Sequence, residues 1–182
     1  LHNLQNASAA IAIAVDLGFS DEEIKNGFSL FEGVKRRFTR TGEVDNILFI
    51  DDYAHHPKEI DVTLKTAQDL AKDRNGKVIA FVQPHRYSRL KELFTEFSTC
   101  FDDADILYVS EVYSAGEDAI NGISSEKLVE AIRKHGFGSV NYLSSPDEIT
   151  QIIYENASSN DIVIFMGAGN ITSWAYQAPI KF

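Results

Sequence analysis

Short, continuously hydrophobic runs alternate with longer segments over most of the chain. Each run has four or five residues and no regular polar position, which is typical of strands covered on both faces. The runs predicted as strands are residues 47–50, 78–82, 106–109, 140–143 and 162–165. Hydrophobic residues between the runs recur at helical spacing. This order predicts an α/β fold with a Rossmann-like, mostly parallel sheet and helices on both faces.

The beginning of the chain has a different pattern. Residues 3–17 are hydrophobic almost all round, which predicts a buried helix that ends at Gly18. Ser20 and Glu23 then form a capping-box pattern, which predicts a second helix. A stretch from residue 38 to 44 predicts an antiparallel edge strand and brings the sheet to about six strands.

These patterns predict two parts. Residues 1–33 would hold two helices that belong to an adjacent domain, and residues 34–182 would hold the sheet domain. The chain begins at Leu1 and its only methionine is Met166. We therefore expect it to be a piece of a longer protein.

Two later helices carry more detailed signals. Hydrophobic residues at helical spacing predict one helix over residues 90–101. Ser145, Pro146 and Glu148 predict another helix with an N-cap serine, a first-turn proline and a capping-box glutamate.

The composition narrows the classes of ligand and partner. The 182 residues include 17 basic and 27 acidic side chains, and the net charge of −10 argues against broad binding to nucleic acid or an anionic membrane. No run approaches the roughly 18 hydrophobic residues of a membrane helix, and no signal-peptide pattern is present. The single cysteine, Cys100, cannot form an internal disulfide, so we expect a cytoplasmic protein.

Polar side chains follow three of the predicted strands. Residues 51–57, 83–89 and 166–170 have the sequences DDYAHHP, QPHRYSR and MGAGN. Ligands of open α/β sheets bind at the carboxyl ends of the strands, so we expect these loops to converge on one site. The alternative for the first loop is a polar turn and a helix cap. In the third loop, the GxG sequence at 167–169 is either a phosphate-binding turn or a tight strand–helix turn that needs glycine.

Basic residues near these loops are candidates for anion binding. Arg86 and Arg89 lie at the start of a predicted helix, where the helix dipole disfavours a cation by about 0.3–1 kcal/mol. A bound carboxylate or phosphate would offset this cost. The alternative is a pair of solvated arginines next to Glu92 or Glu96. The Lys-Arg-Arg triplet at 35–37 is either a solvated strand edge or a phosphate contact in a cleft between domains.

Several kinds of catalytic site are missing from the sequence. It contains neither GxxxxGK[ST] nor GxSxG, so it has no P-loop and no nucleophile elbow. Aspartate and histidine are good ligands for zinc or manganese, but HxxxH and HxH spacings do not occur. We therefore predict no metal ligands in this chain.

Five motifs together resemble the Mur ligases of peptidoglycan synthesis, and they span nearly the whole chain. The motifs are HNLQNA at 2–7, GVKRRF at 33–38, DDYAHHP at 51–57, QPHRYSR at 83–89 and GAGNI at 167–171. The fourth is similar to QPHRYTR of the alanine-adding branch, with Ser88 in place of threonine. The branch that recycles murein tripeptide shares GVKRR and a similar D-[YF]-A-H-H-P motif, but it differs where this chain has His85, Arg86 and Tyr87.

The resemblance implies the carboxyl-terminal domain of an ATP-dependent ligase, preceded by the last helices of a central ATPase domain. With ATP and Mg²⁺, such an enzyme phosphorylates the carboxylate of UDP-N-acetylmuramate, and the amine of L-alanine attacks the acyl phosphate. The P-loop, the magnesium ligands and the UDP-binding domain would lie in missing N-terminal and central domains of the same chain. The fragment alone is therefore expected to be inactive, with no nucleic-acid or membrane partner.

The resemblance also implies roles for individual residues. The residues implied for ATP binding are His2, Asn3, Asn6, Arg36, Arg37 and Asp52. Among them, the two asparagines would contact adenine, Arg37 a phosphate and Asp52 the ribose. The residues implied for the alanine carboxylate are His85, Arg86 and Arg89. Tyr53 and His55 would line the same cleft as candidates for a catalytic role.

Two other functions stay open on the sequence alone. One is a stand-alone nucleotide-binding module, which would bind a nucleotide without turnover. The other is a metal-dependent hydrolase that uses Asp52, His55 and His85, and it would retain a metal and cleave esters without ATP.

Overall fold

A computed structural model of the chain describes residues 2–31 and 34–182, without the side chains of residues 2, 3 and 5. The chain divides into two compact units, Leu1–Val34 and Lys35–Phe182. The predicted boundary after residue 33 falls on residues outside the described ones. That the first unit belongs to an adjacent domain stays a prediction.

The described secondary structure follows the predicted alternation of strands and helices. The first unit contains α1 (His2–Asp16) and α2 (Asp21–Ser29). The elements of the second unit are β1 (Thr39–Val44), β2 (Ile47–Asp52), α3 (Pro57–Arg74), β3 (Val78–Val82), α4 (Tyr87–Glu92), α5 (Phe94–Phe97), β4 (Ile106–Ser110), α6 (Ser125–Lys134), β5 (Val140–Leu143), α7 (Ile149–Asn156), β6 (Ile162–Met166) and α8 (Ile171–Lys181).

The six strands form one sheet in the order β1-β2-β6-β3-β4-β5. All neighbouring pairs are parallel except β1 and β2, which are antiparallel. The mostly parallel sheet and its antiparallel edge strand are therefore both confirmed. Asp45 and Asn46 form the turn between β1 and β2 with φ of 48° and 64°. Aspartate and asparagine tolerate this left-handed conformation better than most residues, and it suits a two-residue hairpin.

The four central strands, β2, β6, β3 and β4, are buried on both faces, which explains their continuous hydrophobicity. In β2, Leu48 and Ile50 belong to one hydrophobic cluster, together with residues of α3, α4, α5 and α6. Ile47 and Phe49 belong to a second cluster, together with residues of α7 and α8. Alternate side chains of a strand point to opposite faces of a sheet, so the two clusters lie on opposite faces. The predicted helices on both faces are confirmed.

The prediction of a buried first helix is wrong for this chain. Among the described side chains of α1 none is buried, and Ile13, Val15 and Leu17 are more than half exposed. A helix that is hydrophobic all round tends to be buried, but its sequence does not show which residues would pack against it. The predicted capping box of α2 is confirmed, because Ser20 and Glu23 exchange hydrogen bonds of 3.4 and 2.8 Å.

Two helix predictions need correction. The single helix predicted over residues 90–101 is two short helices, because Leu93 leaves the helical conformation at φ −110° and ψ 25°. Hydrophobic spacing identifies the side that faces the core but contains no signal for such a break. The predicted capping box at Ser145 is also absent, because residues 146–148 form a 3-10 turn. There the Glu148 carboxylate accepts a hydrogen bond from the Ser144 hydroxyl instead.

Candidate ligand-binding site at the carboxyl edge of the sheet

The loops that follow β2, β6, β3 and β4 lie side by side, because those strands are neighbours in the sheet. Their aromatic rings form a connected series. Ring centroids are 5.0 Å apart for Tyr53 and His55, 5.9 Å for His55 and His85, and 5.4 Å for His85 and Tyr113. The predicted convergence of the loops after β2 and β3 is confirmed. Tyr113, in the connection after β4, was not predicted.

Asp52, at the end of β2, is bound to the backbone around it. Its carboxylate accepts hydrogen bonds of 2.7 Å from the amides of Phe38 and Ala54. The residue is 5% exposed, and this burial raises the pKa of its carboxyl, although the hydrogen bonds and Arg37 oppose the increase. The geometry therefore favours the structural alternative, in which Asp52 caps a turn. The ribose contact implied by the family resemblance stays a prediction.

Asp51 is fully buried beside Arg36. It accepts a hydrogen bond of 3.2 Å from the Thr172 hydroxyl, and its Oδ2 lies 3.9 Å from Arg36 Nε. These two atoms have no hydrogen-bond partner among the described residues. Burial raises the pKa of the Asp51 carboxyl, and the Thr172 bond and the Arg36 charge reduce the increase.

The Arg36 guanidinium connects the loop after β6 to the loop after β2. Its Nη2 donates to the carbonyl of Gly167 at 2.6 Å and to that of Gly169 at 3.4 Å. It also lies 4.5 Å from the ring centroid of Tyr53, in cation–π contact. Arg36 is thus committed to internal contacts, which weakens its predicted role at ATP. Arg37 is exposed, with its guanidinium 5.9 Å from the Tyr53 ring.

The neutral His55 ring has a defined tautomer. Its Nδ1 is 2.9 Å from the carbonyl oxygen of Tyr53, and a carbonyl can only accept. The Nδ1 atom therefore carries the proton, and Nε2 keeps a lone pair. The Glu59 carboxylate lies 3.5 Å from the same Nδ1. In the neutral ring, Nε2 is therefore the atom that can accept a proton.

His85 has the opposite tautomer. Arg89 Nη1 lies 3.2 Å from His85 Nδ1, and a guanidinium can only donate, so Nδ1 accepts and Nε2 carries the proton. Burial, followed by the charges of Arg89, His55 and Arg86, lowers the pKa of His85. The neutral ring is therefore favoured, with an Nε2–H donor. His85 and Arg89, which the sequence placed in one loop, are in direct contact.

Arg86 is exposed and immediately precedes α4. Its Nη1 lies 3.8 Å from Oε1 of Glu117, in the connection between β4 and α6. In the part of the chain that the structure describes, no salt bridge joins Arg86 or Arg89 to Glu92 or Glu96. Sequence reasoning missed Glu117, because 31 residues separate it from Arg86 and no local pattern marks the contact.

The loop after β6 has no room for a side chain at position 169. A Cβ atom on Gly169 would lie 2.4 Å from Oε1 of Gln83 and 2.7 Å from the Tyr113 ring. Gln83 also donates to Asn170 at 2.8 Å and accepts from the amide of Ile171, at the start of α8, at 3.3 Å. The close approach supports the tight-turn interpretation of the GxG sequence over phosphate binding.

The predicted adenine ligands lie in the first unit. His2, Asn3 and Asn6 belong to α1, and Asn6 is exposed. The side chains of His2 and Asn3 lie outside the described part of the structure, so their predicted contacts have no geometry here.

The described residues, 2–31 and 34–182, contain neither a cluster of metal ligands nor a membrane-spanning helix. Within these ranges, no three His, Cys, Asp or Glu side chains come together as they would around a metal ion. The hydrolase alternative needs Asp52, His55 and His85 as one such set, and they do not form it. No helix in these ranges has the length and hydrophobicity to cross a membrane.

The sequence matches a family model described as "Mur ligase, glutamate ligase domain" over residues 36–169. UDP-N-acetylmuramate--L-alanine ligase of Rickettsia canadensis is 51% identical over 182 residues, which is 100% of this chain and 38% of the relative. The chain thus spans less than two-fifths of that protein.

Two solved structures have a similar fold over most of the chain. The UDP-N-acetylmuramate-alanine ligase of Thermotoga maritima has a TM-score of 0.78 and 29% identity, covering 98% of this chain and 37% of the other. A murein peptide ligase of Psychrobacter arcticus has a TM-score of 0.71 and 28% identity, covering 100% and 37%.

Proposed function

The chain belongs to the Mur ligase family, and on this premise we propose that it is the carboxyl-terminal part of an ATP-dependent ligase that joins L-alanine to UDP-N-acetylmuramate. Residues 34–182 would form the family's carboxyl-terminal domain, and residues 1–33 would end the central ATPase domain. The remaining domains, with the P-loop and the magnesium ligands, would lie outside this chain. The chain by itself would then be inactive, and the whole protein cytoplasmic.

One observation supports the amino-acid site most strongly. A single loop supplies two arginines and a histidine that favours its neutral form, next to the Tyr53 and His55 rings. Guanidinium groups bind carboxylates by charge-assisted and often bidentate hydrogen bonds. A compact cationic loop of this kind suits the carboxylate of a small amino acid such as L-alanine.

Our proposal assigns a task to each side chain of this edge. Arg86 and Arg89 would bind the alanine carboxylate, and the Nε2–H of His85 would add a neutral hydrogen bond. His55, with its unprotonated Nε2, would accept a proton from the alanine ammonium, so that the amine can act as a nucleophile. Tyr53 would line the cleft. Binding in this way serves catalysis chiefly by positioning the amine.

The nucleotide would be bound by the residues that the family resemblance implies. Asn3 and Asn6, with His2, would contact the adenine, Arg37 a phosphate and Asp52 the ribose. Arg36 would support this edge through Tyr53 and Gly167. ATP with Mg²⁺ supplies the phosphoryl group that activates the carboxylate of UDP-N-acetylmuramate. In such a transfer the protein contributes mainly positioning and charge neutralisation.

Alanine substitution of the arginines tests this assignment in the full-length ligase. Arg86→Ala or Arg89→Ala should raise the KM for L-alanine about 10–150-fold, because a hydrogen bond to a charged group is worth about 1.5–3 kcal/mol. The KM for ATP should change little. Lys91→Ala, which removes an exposed cation of the same helix, is the matched control. Unchanged alanine kinetics in both arginine variants would refute the assignment of this loop.

A further inference from the structure

The Glu117 carboxylate is bound to the beginning of α4. It accepts a hydrogen bond of 3.0 Å from the Ser88 amide and one of 2.7 Å from the Ser88 hydroxyl. One of its oxygens also lies 3.8 Å from Arg86 Nη1. These contacts hold the pKa of the Glu117 carboxyl below its usual range, the Ser88 bonds more than the Arg86 charge. A residue far away in the sequence is therefore linked to the proposed carboxylate-binding loop.

The connection between β4 and α6, which contains Glu117, also forms backbone hydrogen bonds with the loop after β3. The Arg86 amide donates to the carbonyl of Tyr113 at 2.9 Å, and the Tyr113 amide donates to the carbonyl of Pro84 at 2.8 Å. The His85 and Tyr113 rings are stacked, with an angle of 18° between their planes. Residues 113–117 thus contact three consecutive residues of the loop, and Glu117 extends the contact into α4.

Arg86 needs such support because of its backbone conformation. Its φ is 71°, in a region that non-glycine residues rarely adopt. Such a conformation is costly and persists only where the surroundings impose it. The Tyr113 carbonyl fixes the amide side of Arg86, and Glu117 fixes both the next turn and the guanidinium.

We propose that Glu117 is a positioning residue, which holds Arg86 in the conformation that binds the substrate carboxylate. This inference rests on the proposed function and deepens it. Glu117 itself does not touch the substrate. It orients the guanidinium through the salt bridge and fixes the start of α4 through Ser88, so that less rotamer freedom is lost when the amino acid binds.

Steady-state kinetics of the full-length ligase test the proposal. Glu117→Ala should raise the KM for L-alanine about 5- to 50-fold, within the range of coupling between residues in contact. The kcat and the KM for ATP should stay within about 2-fold, because Glu117 acts on amino-acid binding alone. Glu117→Gln keeps an oxygen for the Ser88 amide but loses the charge, so its effect should be smaller. Asp118→Asn, a neighbouring exposed acid, is the matched control and should match the wild type.

A double-mutant cycle with Arg86 separates positioning from a general structural role. If Glu117 acts through Arg86, Glu117→Ala should have no further effect on the KM for L-alanine in the Arg86→Ala background. An equal effect in both backgrounds would overturn the proposal, as would an unchanged or lower KM in Glu117→Ala. Thermal unfolding of each variant checks that the fold is intact, and Glu117→Gln serves if Glu117→Ala is not folded.

The failure of this inference differs from the failure of the proposed function. If Arg86→Ala raises the KM for L-alanine and Glu117→Ala does not, only the positioning role is wrong. If Arg86→Ala leaves that KM unchanged but Arg89→Ala raises it, the positioning role is wrong and the loop assignment stands. If both arginine variants leave it unchanged, the positioning role and the proposed function are both wrong.

Discussion

Individual side chains at the carboxyl edge divide into those committed to internal contacts and those left exposed. Asp51, Asp52 and Arg36 are held by backbone or buried partners, whereas Arg37 and Arg86 are exposed. The sequence marks Asp52 and the three arginines as candidates for ligand binding, because it shows their type and their motifs. It does not show which polar atoms the backbone already occupies, since that depends on distant residues such as Phe38 and Thr172.

The buried Asp51 should make the free energy of unfolding depend on pH. Its pKa in the folded chain is raised above the ordinary 3.8. Between pH 3.8 and this raised pKa, the folded state therefore binds more protons than the unfolded state. Asp51 therefore contributes less stability as the pH rises through this interval. Each pKa unit corresponds to about 1.4 kcal/mol. Urea unfolding of the chain between pH 4 and pH 8 should show Asp51→Asn gaining stability relative to the wild type as the pH rises.

The measurement has one contradicting outcome and one control. A difference between Asp51→Asn and the wild type that does not depend on pH would contradict the raised pKa. Asp69→Asn removes the same charge from the exposed side of α3 and is the matched control for the loss of one carboxylate.

At the scale of elements, the order and type of the strands and helices could be predicted, whereas their junctions could not. Continuous hydrophobic runs identify β2, β3, β4 and β6 because burial on both faces imposes them. The break at Leu93 and the 3-10 turn at 146–148 depend on local backbone geometry. The partnership between the loop after β3 and the connection after β4 depends on pairing across the sheet, and no local motif encodes it.

The loop after β6 has little room for a side chain at Gly169. Gly169→Ala should destabilise the chain by about 1–3 kcal/mol, as expected when a methyl group enters a filled space. Its Cβ would lie 2.4 Å from Gln83 Oε1 and 2.7 Å from the Tyr113 ring. Gly138→Ala is the matched control, because nothing lies within 4 Å of a Cβ there. Urea unfolding of both variants provides the comparison, and equal stability would show that the loop relaxes without cost.

The whole molecule consists of two units of unequal character. In Lys35–Phe182, two hydrophobic clusters cover both faces of one sheet. In Leu1–Val34, no described side chain is buried. The sequence motif at 2–7 predicted a functional role for the first unit, but nothing in its pattern could predict the exposure of that unit. Family membership rests on the second unit, which contains the matched residues 36–169.

The selectivity of the full-length ligase for its amino-acid substrate shows whether the loop after β3 is an L-alanine site. The measurement is phosphate release from ATP in the presence of UDP-N-acetylmuramate, with either L-alanine or a murein tripeptide as the second substrate. If Arg86, Arg89 and His85 bind the carboxylate of a small amino acid, as we propose, kcat/KM should be at least about 100-fold higher with L-alanine. An equal or higher kcat/KM with the tripeptide would contradict the proposed L-alanine site. Phosphate release that does not depend on L-alanine would contradict it as well.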